Sequence, residues 1–386
     1  MKKTLILAMA ILTASAAKAQ LSEAEALAAI EANNPGLRAA RLDLDAQMAQ
    51  SEAETKMPDL ELGGGYLWPG RKDFSVSQAI DWAVVSRQKR KTAAARDTLL
   101  AAHYAAARQE TLLNARLAWI EATFQTALID IHTRHTEAIG RIALAVQRRL
   151  DAGNARQIDA NYAQLAYAAA NRQLTLAAAD RDEALLTLKS LNGGEPIDHA
   201  EAAFAPAAMP TDFETWYADR SRRAPSLKAT AAQANVARAE SQEARLATAP
   251  QVAIGVMGEF SEDEKFKGVT LSMSLPLWRG SRARDAANLS AEAAAARHQA
   301  AAVGDRAEAE TLWARTSRLR QAAQEFRAAV SRADNTELQA KALEAGEISV
   351  SEALEAAAAL YSAEEEALEA ERDFRVSLAR LTAHEL

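Results

Sequence analysis

The chain has 386 residues, of which 49% are apolar, and its 45 Lys and Arg against 52 Asp and Glu leave a net charge of −7. An acidic chain without a basic tract is a poor partner for nucleic acid. It contains no cysteine, which excludes a disulfide framework, a thiolate metal site and a lipid-bearing cysteine near a cleavage point.

Residues 1–19 read as a secretory signal peptide. Lys2 and Lys3 precede an apolar run from Thr4 to Leu12, and Ala17-Lys18-Ala19 sets a cut before Gln20. Losing Lys2, Lys3 and Lys18 takes the net charge from −7 to −10. That run is too short to span a bilayer, and nothing later approaches the length of a transmembrane helix. If a membrane is crossed, strands cross it.

The remaining residues would fit two ordinary domains, but the helix breakers argue against ordinary globular packing. The nine prolines fall at 35, 58, 69, 196, 206, 210, 225, 250 and 276, so none lies between Gly70 and Glu195 or after Pro276. Those spans are dense in Ala, Leu, Glu, Arg and Gln, the strong helix formers. Gly140 and Gly304 are the only glycines in 86–150 and 282–345. Each stretch predicts one long helix, roughly 96 Å from end to end at 1.5 Å per residue.

The two halves repeat. Asn34-Pro35-Gly36-Leu37-Arg38-Ala39 matches Ala224-Pro225-Ser226-Leu227-Lys228-Ala229 at an offset of 190. Pro58-Asp59-Leu60-Glu61-Leu62-Gly63 matches Pro250-Gln251-Val252-Ala253-Ile254-Gly255 at 192, and Leu150-Asp151-Ala152-Gly153 matches Leu343-Glu344-Ala345-Gly346 at 193. The drift marks an internal duplication with small insertions. The first copy, 20–195, has a predicted hairpin at about 58–81 and helices at about 86–150 and 155–191. A crossing region, 196–224, leads to the second copy, 225–386, with a hairpin at about 250–277 and helices at about 282–345 and 348–384. Shorter helical segments, 36–57 and 226–249, precede the hairpins.

In each hairpin the periodicity switches from helical to alternating. Val252, Ile254, Val256 and Phe260 share one parity, and after the turn 261–268 the run Val269 to Leu275 alternates without a break. The first copy repeats this with Leu60, Leu62, Tyr66 and Trp68, then Phe74, Val76 and Ile80. Tyr66, Trp68 and Phe260 sit near the turns, where an aromatic girdle would meet a membrane interface. Alternation alone equally suits two half-buried hairpins of a soluble sheet; strand length and the export signal favour a membrane barrel. Four strands cannot close a barrel, since the smallest membrane barrels have about eight, and an open edge is not tolerated in lipid. The chain must then share a barrel with copies of itself, and closure alone leaves two or three copies open.

Ile158, Tyr162, Leu165, Ala169 and Leu176 follow coiled-coil spacing, as do Leu354, Tyr361 and Leu368, so the helices are expected to pack along heptad seams.

Taken together, these residues resemble the outer-membrane efflux proteins typified by TolC. The resemblance runs from Ala26-Leu27-Ala28-Ala29-Ile30-Glu31-Ala32-Asn33-Asn34-Pro35 to the C-terminus. Its most specific parts are that Asn-Pro entry, the Pro-led strands at 58 and 250, the exit Ser274-Leu275-Pro276-Leu277-Trp278 and the two Ala-Gly helix tips. It implies a mainly helical fold with a small β part: a coiled-coil tunnel and a transmembrane β-barrel shared by a homotrimer, four strands per chain. The implied location is the outer membrane with a periplasmic helical extension. The implied partners are a periplasmic adaptor, an inner-membrane pump of the RND type and outer-membrane lipid. No cofactor, metal or catalytic residue is implied.

Carried over residue by residue, the resemblance points to the tips for adaptor contacts: Arg148, Gly153 and Asp159 in the first copy, and Lys341, Gly346 and Ser349 in the second. It also points to Glu352 and Glu355 as acids ringing the periplasmic aperture, six carboxylates in a trimer, able to select or hold cations. By residue type alone they read as surface acids near a helix N-terminus, where acids are favoured anyway.

Enzyme readings find little support. Among six histidines only His132 and His135 share a helical face at metal-clipping spacing, and with no third ligand nearby they read as solvated. No phosphate loop or nucleophile motif appears. The alternative to a duct is a periplasmic coiled-coil adaptor or scaffold without a membrane barrel.

Overall fold

The computed structural model describes residues 21–67, 71–199, 201, 203–247, 250–261, 265–274, 280–333, 342 and 347–386. The signal peptide, Trp68, the exit 275–279, Lys341 and Gly346 lie outside the described residues. In chain order the elements are α1 (Glu23–Asn33), α2 (Pro35–Glu54), β1 (Leu60–Leu67), β2 (Arg71–Ile80), α3 (Ala83–Asp151) and α4 (Gln157–Leu191). There follow α5 (Phe213–Arg223), α6 (Pro225–Leu246), β3 (Gln251–Phe260), β4 (Lys265–Ser274), α7 (Gly280–Ala333), α8 (Val350–Leu381) and a 3-10 turn, Ala383–Glu385. No described helix is long and apolar enough to cross a membrane.

Each boundary has a local cause. Asn34 caps α2 by accepting from Leu37 N–H at 3.0 Å, with Pro35 in the first turn, where its missing N–H costs nothing. Helix α3 runs 69 residues without a proline. It stops at Gly153, whose φ of +77° turns the chain as only glycine does readily. The crossing region holds a helix that its prolines hide: Asp212 caps α5 by accepting from Thr215 N–H at 2.8 Å.

The chain divides into two compact units, each assembled from separate stretches. The first comprises the described residues within 21–33, 115–206 and 325–372. Its core joins Ile131, Ala138, Ile139 and Val146 of α3, Ala160, Ala163 and Ala170 of α4, and Leu354, Ala357 and Tyr361 of α8. The heptad expectation is met in α8, where Leu354 and Tyr361 are buried. It is corrected in α4. There the buried seam is Ala163, Ala170, Ala177 and Ala184, at intervals of seven, while Ile158, Tyr162, Leu165 and Leu176 are exposed. Alanines let two helices approach closely, and the large residues are left on the opposite stripe. Tyr361 donates to the Arg134 carbonyl at 3.2 Å and stacks on His135 with centroids 4.4 Å apart. His132 is itself buried, so the histidine pair is packed rather than solvated. Burial, then the neighbouring His132, pushes the His135 pKa down. Where α1 meets the end of α4, Asn33 Nδ2 donates to Asn192 Oδ1 at 3.0 Å. A Cβ on Gly193 would come within 2.6 Å of the Asn33 carbonyl.

The second unit comprises residues 34–114, 207–324 and 373–386 and contains the whole sheet. The sheet order is β1-β2-β3-β4, antiparallel throughout, so β2 of the first copy pairs with β3 of the second. Below it, Ala234 and Ala237 of α6 pack on Ala294 of α7. Arg96 bonds both Glu54 and Glu240 at 2.9 Å. Helix α5 sits in an aromatic cluster, Trp216 and Phe213 lying 5.2 and 5.6 Å from Trp313. Arg220 pairs with Asp305 at 2.7 Å, and both are largely buried. The C-terminal turn closes this cluster: His384 lies edge-on to Trp216 at 6.0 Å, and Arg108 donates to Leu386 O.

Candidate functional site

Two places combine the features a site needs: the sheet and the helical tip. Strand alternation sends successive side chains to opposite faces, and the register defines both faces. Reading across the four strands, one face carries Leu62, Val76, Val256 and Val269 in one row, with Leu60, Gln78, Ile254 and Leu271 beside it. Leu60, Leu62, Ile254, Val256, Val269, Leu271 and Met273 are all 47–78% exposed, far more than a soluble sheet leaves to water. The one polar side chain in those rows, Gln78, donates to the Pro58 carbonyl at 3.1 Å.

The opposite face is mostly small and polar. It carries Glu61, Gly63 and Gly65 of β1, Asp73, Ser75 and Ser77 of β2, Gly255 and Glu259 of β3, and Gly268, Thr270 and Ser272 of β4, with Met257 and Phe266 as large apolar exceptions. Charges of both signs occur here, and Arg71 pairs with Glu259. The glycines make room on this face: a Cβ on Gly65 would sit 2.4 Å from Asp73 Oδ1, and one on Gly255 would sit 2.5 Å from the Val76 carbonyl. Tyr66 and Phe260 fall in one row at the turn end of the apolar face, both exposed. At the other end of that hairpin, exposed Trp82 donates through Nε1 to the Pro250 carbonyl at 2.7 Å. Sequence reading passed over Trp82, although an aromatic directly after an alternating strand is the same signal that singled out Tyr66.

At the tip, Arg148 is exposed on the last turn of α3, and Gly153 makes the reversal. Asp159, in the first turn of α4, is bound by Arg156 at 2.8 Å. That guanidinium, chiefly by hydrogen bonding, holds the Asp159 carboxyl below the usual carboxylate range. In the second copy Ser349, Glu352 and Glu355 are all exposed around the N-terminus of α8. The Glu352 N–H donates to Ser349 Oγ, and the Ser349 N–H donates to Glu352 Oε2, which makes a capping box. The bond from the Ser349 N–H, and after it hydrogen bonding from the Ser349 side chain, hold the Glu352 carboxyl below its usual range. The Ser-x-x-Glu spacing that announces such a box is legible in the sequence and was missed there. A second instance opens α1, where Ser22 N–H and Oγ both donate to Glu25 Oε2.

No family model matches the chain, and no curated protein matches it in sequence. Solved structures do match. The Campylobacter jejuni CmeC outer membrane channel superposes over 94% of this chain and 85% of its own, with 14% identity and a TM-score of 0.79. The chain has the fold of these outer-membrane channels. The open-state Neisseria gonorrhoeae MtrE outer membrane channel matches over 94% and 88%, at 18% identity and a TM-score of 0.78. The outer membrane protein VceC from Vibrio cholerae matches over 94% and 95%, at 14% identity and 0.74. The outer-membrane channel fold therefore accounts for nearly the whole chain, helices and sheet alike.

Proposed function

We propose that this protein is an outer-membrane efflux channel of the TolC family. It works as a homotrimer that passively conducts what an inner-membrane pump and a periplasmic adaptor deliver. The observation that carries the reading is the sheet. It has one exposed face that is apolar except for Gln78 and the lysines at its turn end, one face of mostly small and polar residues, and two edges, β1 and β4, with no partner among the described residues. An edge in lipid leaves backbone groups unsatisfied at several kcal/mol each, so β4 of one copy pairs with β1 of the next until the barrel closes. Twelve strands from three chains leave an open lumen lined by the polar face; eight would fill it with side chains. The exposed Ile158, Tyr162, Leu165 and Leu176 stripe of α4 supports the same assembly, since it supplies a helix face for a neighbouring copy to cover.

In this reading Arg148, Gly153, Asp159, Lys341, Gly346 and Ser349 meet the adaptor. Glu352 and Glu355 ring the periplasmic aperture and act on cations, while Tyr66, Trp68 and Phe260 form the outer aromatic girdle. The pump is of the RND type. Fractionation tests the proposal: the mature protein should stay with the outer membrane through osmotic shock and leave it only in detergent. Release by shock alone would defeat it.

A further inference from the structure

The apolar face of the sheet changes character at its turn end. In the outermost row Tyr66, Lys72, Phe260 and Lys265 stand side by side across the four strands, and Gly64, Phe74, Gly258 and Lys267 form the row beneath. Lys72, Lys265 and Lys267 are the only charged residues that the register places on this face, and all three are exposed. Acids occupy the other face: Glu61, Asp73 and Glu259. Among the described residues no ion pair engages any of the three lysines. Rows repeat about every 6.8 Å along a strand and strands lie about 4.8 Å apart, so three ammonium groups on flexible stems can converge on one anion.

Beneath them the face is grooved. Gly258 has no side chain between Phe74 and Lys267, and the Phe260 ring leans over it, so that a Cβ there would lie 3.2 Å from two ring carbons. The result is an open groove of about 460 Å³ lined by Phe74, Val256, Gly258, Phe260, Val269 and, at its rim, Lys267, with Met257 and Gly268 of the intervening strand positions completing its lining. An apolar trough beneath a cationic rim matches an amphiphile with an anionic head, and an inorganic anion would leave the trough empty. Lysines beside an aromatic row are placed to reach headgroup phosphates.

We propose that this face binds a phosphorylated glycolipid of the outer leaflet, one acyl chain lying in the Gly258 groove and a phosphate resting on Lys72, Lys265 and Lys267. The proposal rests on the channel reading, which makes the apolar face the lipid-facing one and the turn end the outer one.

The test uses the assembled protein, delipidated in detergent and placed in phosphatidylcholine nanodiscs doped with either bis-phosphorylated lipid A or its dephosphorylated form. Lipid retained on the trimer is read by native mass spectrometry. The wild type is expected to retain the phosphorylated form about tenfold more strongly. K72Q/K265Q/K267Q should lose that preference, and K72R/K265R/K267R should keep it. G258L, which fills the groove, should lower retention of both forms. The acids of the β3–β4 turn, Glu262, Asp263 and Glu264, lie outside the described residues. Neutralising them should leave or raise the preference, and a loss as large as that of the lysine variant would overturn the lysine assignment. Excess inorganic phosphate should not displace the lipid; full displacement would mean a free-anion site instead. An assembled trimer whose glutamine variant keeps the preference overturns this proposal alone, whereas failure of the wild type to form a trimer overturns the channel reading beneath it.

Discussion

Ser349 and Glu352 hold each other at the start of α8, the serine N–H donating to Glu352 Oε2 at 2.7 Å and the glutamate N–H to Ser349 Oγ at 3.2 Å. At the matching place in the first copy, 193 residues earlier, Arg156 donates to both oxygens of Asp159 at 3.0 and 2.8 Å. The first copy thus neutralises its first-turn acid with a cation. The second holds its acid with neutral donors, so the Glu352 charge remains available to a passing ion. The duplication supplied one frame and the two copies cap it with different chemistry.

The first prediction separates cap from charge. E352A/E355A should raise single-channel conductance and weaken block by multivalent cations. S349A keeps both carboxylates and should leave block intact, while loosening the start of α8 by about 1 kcal/mol, read as faster amide exchange there. The Glu352 pKa is depressed in the folded protein, so its contribution is present above the ordinary glutamate range and is lost as pH falls through the lowered value. Block should weaken over that same acid window. Unchanged block in the double alanine variant would remove both residues from the aperture.

The second concerns the buried pair Arg220–Asp305, whose side chains are 16% and 9% exposed. D305A strands a largely buried guanidinium beside Trp216 and should cost about 3–5 kcal/mol, whereas R220M/D305L, which removes both charges, should cost much less. Urea midpoints at fixed pH compare them. Equal losses in the two variants would mean that shape rather than stranded charge sets the cost.

A third prediction sets two glycines against each other. G255A pushes a Cβ to 2.5 Å from the Val76 carbonyl, inside the sheet, and should lower the yield of heat-modifiable trimer. G304A, mid-helix in α7 with nothing within 4 Å of the new methyl, should stabilise by about 1 kcal/mol. Normal trimer yield from G255A would contradict the strand register.

The fourth is a pH dependence of the C-terminal turn. His384 is buried against Trp216, and Asp219, Arg220 and Glu385 lie around it. Burial is the main reason its pKa is lowered, so the neutral ring is the form that fits. The depressed pKa means full stability above the ordinary histidine range and a loss as pH falls through and below it. The thermal midpoint should drop between pH 8 and pH 5, and H384F should flatten that drop. An H384F curve parallel to the wild type would place the titration elsewhere.

Much of this was legible in the sequence because it depends on period and on breakers. Alternation in Val252–Phe260 gave β3 its faces, and the proline-free span gave α3 nearly its full length. Helix α5 was hidden because it is eleven residues long, set among Pro206, Pro210 and Pro225, and stabilised by aromatic partners such as Trp313 far along the chain. The alanine seam of α4 was hidden for the opposite reason. A stripe search weights large apolar residues, and here Ile158, Tyr162 and Leu165 face away from the chain's own core while Ala163 and Ala170 form it. The lysine rim needed the strand register, since Lys72 and Lys265 belong to different copies and meet only through the β2–β3 pairing.

Planar-bilayer recording of the purified, detergent-solubilised protein tests the channel most directly. Insertion should give discrete, ohmic conductance steps from a species that runs as a heat-dissociable trimer. Protein that forms the trimer and inserts no conducting unit, or remains a soluble monomer without detergent, would contradict the shared barrel on which the functional reading depends.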